Sequence, residues 1–249
     1  MKLLRWSYAL ILVLSLSGIA VAKEKEKEKD STGKNVDSGS FGVFMNGLRV
    51  GTEKFTITQL ASGSVIQSQF KAEGSAGQAV QDSELQLTSA GEIRRYEWKE
   101  QSPGQAKAVV IPNDMFLTQK WTAGPQDKEQ EQPYLLPIST SILDDYFFVH
   151  REVMAWKYLA SACKNEKGQV QCPLKQKAQF GTLNPRQRSS ASASMEFLGR
   201  EKMMVSNVEK EMSKLELKSE TGSWFIWLDD QFKVLRISIP SEKTEVVRD

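Results

Sequence analysis

The chain is poor in the residues most chemistry needs. It has one histidine and two cysteines among 249 residues. No H-E-x-x-H, Cys-x-x-Cys or His cluster occurs, so a zinc site is not expected, and no cofactor is implied. A G-x-S-x-G elbow, a P-loop and a G-x-G-x-x-G after a strand are all missing, which removes the common hydrolase, nucleotide and dinucleotide classes. A Ser-His-Asp triad would have to use His150, the lone histidine, and that residue falls on the apolar stripe of an expected helix. Asp144-Asp145 suits the positive first turn of that helix and Asp229-Asp230 suits a tight turn, so neither pair reads as an acid/base dyad. No catalytic residues are assigned.

A net charge is also missing from the part that folds. Residues 1 to 22 read as a secretory signal peptide: Lys2 and Arg5 precede an uncharged apolar run from Trp6 to Val21, and Ala20-Val21-Ala22 offers small residues for cleavage before Lys23. The run is shorter than the about 20 apolar residues of a transmembrane helix, so no span is expected after cleavage, although a retained anchor is the alternative. Without Lys2 and Arg5 the chain carries 31 basic and 31 acidic residues. Its pI is therefore no argument for nucleic acid, and no nucleic-acid partner is expected. The expected location is outside the cytoplasm, periplasmic first and extracellular second.

Export gives the two cysteines a meaning. Cys163 and Cys172 stand nine positions apart around Gly168, and in an oxidising compartment such a pair reads as a local disulfide. Residues 23 to 40 form a charged, polar leader with little apolar surface to offset ordering entropy, and disorder is expected there. Residues 41 to 249 are read as a single β-rich domain.

Within that domain the period is mostly two. Phe41, Val43 and Met45 alternate into Asn46-Gly47, a strong hairpin signal, and the parity switch at Gly51 predicts a β-bulge. Strands are expected at Ser64 to Ala72, Gln78 to Thr88, Glu92 to Glu100 and Lys107 to Pro112, separated by glycine-containing turns. Pro125 to Gln132 reads as an exposed loop. From Ile142 to about Ala160 the period becomes helical, with Leu143, Phe147, His150 and Met154 on one stripe, Ser141 as a cap, and Tyr146 and Trp156 widening the face. Lys175 to Ser194, basic and rich in Ser and Ala, reads as a solvated loop. Strands resume at Met195 to Leu198, Lys202 to Val208 and Met212 to Ser219. They are followed by Trp224 to Leu228, a turn at Asp229-Asp230, Phe232 to Pro240 and Glu245 to Arg248. The expected fold is mainly β, a curved antiparallel sheet forming a half-barrel or open barrel around one amphipathic helix.

The aromatics supply the candidate ligand-facing residues: Tyr146, Phe147, His150, Trp156, Trp224 and Trp227. On a strand, Trp224 and Trp227 point to opposite faces, so one face meets the core and the other meets the helix, a ligand or a partner.

The run Phe41-x-Val43-x-x-Asn46-Gly47-x-x-Val50-Gly51-x-Glu53-x-Phe55-x-Ile57 resembles the opening of certain bacterial exported domain-of-unknown-function proteins. Leu143-Asp144-Asp145-Tyr146-Phe147-Phe148-x-His150 is similar to their central helix. The resemblance implies a half-barrel wrapped around a helix, loosely similar to periplasmic lipoprotein carriers, and no catalytic residues. The leading expectation is a non-enzymatic envelope protein with lipid, another apolar ligand or an envelope protein as partner in the concave face of its sheet. The alternatives are a structural or assembly protein with no ligand, and a hydrolase using His150.

Overall fold

The Asn46-Gly47 turn sets the first register. Both residues take positive φ, 51° and 80°, as a tight right-twisting hairpin requires. They join β1 (Lys34–Met45) to β2 (Leu48–Leu60). Val43 pairs with Gly51 but Phe44 pairs with Arg49, so Val50 is the extra residue of a β-bulge beside Gly51, as the parity switch predicts. A side chain at Gly51 would collide with the Phe70 ring. The glycine therefore also lets that aromatic lie against the backbone.

A computed structural model describes residues 33–249 other than 75–76, 167–168, 206–207 and 221. The expected signal peptide, the leader as far as residue 32 and the Gly168 turn lie outside the described residues. The first meander continues through β3 (Gly63–Ala72), β4 (Val80–Thr88), β5 (Ile93–Ser102), β6 (Lys107–Asn113), β7 (Phe116–Thr122) and β8 (Gln130–Tyr134). A short β9 (Ser141–Ile142) precedes the helix α1 (Val149–Ala162) and a small hairpin of β10 (Lys164–Glu166) and β11 (Gln169–Gln171). The second meander is β12 (Lys177–Asn184), β13 (Ser189–Val205), β14 (Val208–Ser219), β15 (Gly222–Leu228), β16 (Val234–Ile239) and β17 (Thr244–Arg248).

The two meanders meet where the first strand pairs with the last, β1 antiparallel to β17. The result is one curved, unclosed sheet of 15 strands running from β8 to β9. Every pairing in it is antiparallel except β9 with β12. Side chains reach across the opening: the Gln119 amide donates to the Pro185 carbonyl at 2.6 Å, and Arg188 stacks on Trp121.

Helix α1 lies against the inner face. Inward residues from both meanders, among them Phe55, Leu85, Leu215 and Ile237, form one cluster with Val149, Met154 and Tyr158 of the helix. Strand β4 shows why: its residues alternate half-buried and buried along their whole length, as a sheet with one apolar face must. The helix lies close to β15 and β16, as expected from matching apolar surfaces. Phe148 neighbours Trp224, and the Trp156 indole donates to the Phe232 carbonyl at 2.7 Å. Cys163 and Cys172 are joined across the β10–β11 hairpin.

Five expectations need correction. The helix begins at Val149 rather than Ile142. Ile142 is taken by pairing with Leu183, and the Asp144 carboxylate accepts from the Tyr146 amide, an alternative to helical bonding. Ser141 is therefore a strand residue and not the cap. Strand β1 starts at Lys34, inside the expected leader, because Asp37 is buried against Arg248 and Lys233. The expected loop at Pro125 to Gln132 gives way to β8 at Gln130. Most of the expected loop from Lys175 to Ser194 is β12 and the start of β13, a ladder built on small residues. Strand β7 carried no expectation.

Candidate functional site

Three concavities compete for attention. The largest, about 540 Å³, is a shallow polar furrow on the outer face of β2 to β5. Its carboxylates are already engaged, Glu84 by Gln67 and Asp82 by Gln69 and Gln101. A groove of about 500 Å³ lies on the outer side between the ends of β13 and β14 and strands β16 and β17, lined by Met203, Met204, Trp227 and Val247. A chamber of about 480 Å³ opens on the inner side, at the N-terminal end of α1.

The inner chamber is walled by apolar side chains from separate elements: Val43 of β1, Val50 of β2, Phe70 of β3, Phe148 before α1, Trp224 of β15 and Ile239 of β16. Tyr146 stands at its mouth, 38 % exposed, with its ring edge-on to Phe70 at 5.2 Å. Asp145, Gln187 and Glu242 also face it. Its volume falls within the about 300–1,000 Å³ typical of small-molecule sites.

A buried polar network holds the wall in place. Glu53 reaches in from β2 and accepts from the backbone amides of Phe148 and Val149, at 2.7 and 3.2 Å, and from the Ser68 hydroxyl. It caps α1 from a distant strand, satisfying two orphan donors. Burial pushes its pKa up to about 7, against the lowering effect of those hydrogen bonds. Asp144 accepts from the Tyr96 hydroxyl at 2.7 Å and from Arg186 Nε at 2.6 Å. The Arg186 guanidinium is in turn held between the Trp98 and Tyr146 rings, 4.2 and 4.5 Å from their centroids.

Arg151 is the unusual member. It is 2 % exposed, and its guanidinium lies 4.2 Å from the Trp224 centroid and 5.4 Å from that of Phe148. Nη1 donates to the Phe147 carbonyl at 3.0 Å and to that of Asp144, while Nε has no partner. Among the described residues no carboxylate oxygen comes within 4.0 Å of it.

A second carboxyl cluster ties the helix to the chain's ends. Asp37 receives Arg248 at 2.7 Å and Lys233 at 2.9 Å, and the buried Glu152, which Arg248 also approaches at 3.8 Å, acts on it electrostatically. Burial and the Asp37 carboxylate raise the Glu152 pKa to about 9, so Glu152 is the protonated partner. Burial opposes ionisation of Asp37, but Glu152, Arg248 and Lys233 outweigh it and lower the Asp37 pKa.

The six sequence candidates do not form one site. Tyr146 and Trp224 line the chamber. Phe147 and His150 are sealed behind it, with His150 edge-on to Tyr96 and both ring nitrogens unpartnered. Burial drives the His150 pKa down to about 3, with Asp144 pulling the other way. Trp156 packs on β16's preceding turn, and Trp227 faces the outer groove under Lys214 and Arg236. Sequence reading missed Phe70, Phe148, Glu53 and Arg151. The last two carried a signal: Arg151 continues the Phe147–Met154–Tyr158 stripe, and Glu53 shares the parity of the buried Phe55 and Ile57.

No protein-family model matches this chain, and no curated protein or solved structure is detectably similar to it.

Proposed function

We propose that this chain is a non-enzymatic envelope protein, exported to the periplasm, that takes an apolar ligand into the chamber beside Phe148 and Trp224. The observation that carries the reading is the chamber itself: apolar walls from five strands and the helix entry enclose about 480 Å³ that the helix does not fill. Export is supported by the signal-like pattern of residues 1 to 22 and by the Cys163–Cys172 disulfide. A catalytic reading through His150 is disfavoured by its burial and by its lack of any hydrogen-bonded acid or serine. Among the described residues no helix is long and apolar enough to cross a membrane.

The test is saturable binding of an uncharged apolar dye such as N-phenylnaphthylamine. Wild type should bind it, and Ala79→Trp, which fills the chamber from its wall, should abolish binding while leaving the melting temperature close to wild type. Failure of the wild type to bind overturns the reading. A second reading, an assembly protein, is favoured by Met204 and Val208, exposed at the end of β13 and the start of β14. It gains if Met204→Lys removes a cellular phenotype that Ala79→Trp leaves intact.

A further inference from the structure

Arg151 does not itself line the apolar chamber, but its guanidinium stacks directly behind two residues that do. The Arg151 guanidinium stacks on Trp224 and Phe148, both chamber residues, and it has left water almost completely. A buried, charged donor without an acceptor is costly, because the lost hydration is not replaced. The donors already used say which edge is free. Nη1 is spent on the Asp144 and Phe147 carbonyls at the start of α1. The remaining edge carries Nε, which has no partner, together with Nη2. That is a planar two-donor fork, and its natural complement is a planar carboxylate.

We propose that the chamber's ligand is an amphipathic anion, a single acyl chain ending in a carboxylate, whose head pairs with the free edge of Arg151 and whose chain lies along Val43, Val50, Phe70 and Ile239. The proposal rests on the reading of the chamber as an apolar ligand site. Trp224, half-buried where Phe148 is buried, is the wall residue that gives way to admit the head. The carboxylates facing the chamber, Asp145 and Glu242, bear on the choice too. They disfavour a doubly charged phosphate head, for which one fork is too few donors. They do not cancel Arg151 for a singly charged head, since exposed charges are screened by water and buried ones are not. Asp145 is moreover held by Asn184 and Gln187, at 2.7 and 3.2 Å.

The experiment compares three ligands of equal chain length on the full exported protein, at mildly alkaline pH: hexadecanoate, hexadecanol and hexadecylamine. Binding is read by calorimetry and by tryptophan emission. Hexadecanoate should bind at least about tenfold tighter than hexadecanol, which is about 1.4 kcal/mol. In Arg151→Met that preference should shrink to about twofold or less while hexadecanol affinity is kept. The wild-type series stands alone if the variant does not fold. Equal affinity for acid and alcohol overturns the head-group inference and leaves the chamber reading standing, as does a preference for the amine. An Arg151→Met protein that keeps the preference overturns the role of Arg151. Failure of all three ligands, with failure of the uncharged dye, overturns the chamber reading as well.

Discussion

The inner chamber and the outer Met-lined groove have nearly the same volume, about 480 and 500 Å³, and nearly opposite chemistry. In the outer groove the charges are matched. Arg236 pairs with Glu245 at 2.8 Å, Lys214 pairs with Glu201 at 2.8 Å, and the Trp227 ring is covered by Lys214 and Arg236. Behind the Trp224 and Phe148 wall of the inner chamber, a guanidinium is buried with one edge unanswered. Size does not separate the two concavities; hydrogen-bond satisfaction does. A surface whose polar groups are all paired with one another has little to gain from a ligand beyond area, whereas a buried open donor rewards one specific head group.

The sharpest way to break the comparison is to dismantle the network behind the chamber. Asp144→Ala should destabilise by about 3–5 kcal/mol, because it leaves the largely, though not fully, buried Arg186 without its carboxylate and removes the partner of the buried Tyr96 hydroxyl. Phe147→Ala should cost about as much, through cavity formation at a fully buried position. Urea unfolding measures both. A fully stable variant at either position would mean that the inner wall is not part of the core.

Proton linkage distinguishes the helix side from the groove side more gently. Glu152 holds a proton in the fold up to about pH 9, while the unfolded chain releases it near the ordinary glutamate value of 4.5, so stability falls as pH rises through that window. Glu53 adds a fall between 4.5 and about 7. His150 acts in the other direction: it stays neutral in the fold down to about 3, so stability is lost as pH falls below the ordinary histidine value of 6.5. Between 4.5 and 6.5 the two glutamates outweigh the one histidine. Maximum stability is therefore expected near the acidic end of that range, with slopes of about 1.4 kcal/mol per pH unit for each proton. Glu152→Gln should flatten the decline between pH 7 and 9, and a wild-type profile already flat there would contradict the assignment.

The smallest effect should come from the outer groove. Met204 is 67 % exposed, so Met204→Ala should change stability by less than about 0.5 kcal/mol. It should leave hexadecanoate binding unaltered. A loss of binding in this variant would move the ligand from the inner face to the outer one.

What the sequence discloses of this fold follows from where each signal arises. The alternation in β4 and the positive-φ turn at Asn46-Gly47 are local physics, and both are visible in the residues alone. The helix body is legible for the same reason, because its stripe meets the inner sheet. Its start is not legible: the cap is Glu53, 95 positions away from Phe148, and no reading of residues 141 to 149 contains that information. Strands β8 and β12 hide because one is polar and the other is built on small residues paired with Ala191 and Ala193 of β13. The chamber hides because its walls come from strands at both ends of the chain, joined through the β1–β17 pairing. Its traces were nonetheless present as misplaced charge. Glu53 and Arg151 each stand where the local period demands burial, and both are buried. An ionisable residue on the core phase of a strand or helix is the sequence signal for such a site.

The most direct test is where the ligand lies. Isotope-edited nuclear Overhauser spectroscopy of bound, carbon-13-labelled hexadecanoate should show contacts from the carbons nearest the head to the Trp224 and Phe148 rings, and from the chain to Phe70 and Val43. Contacts to the Met203 and Met204 methyls and the Trp227 ring instead would contradict the account, because they would place the ligand in the outer groove.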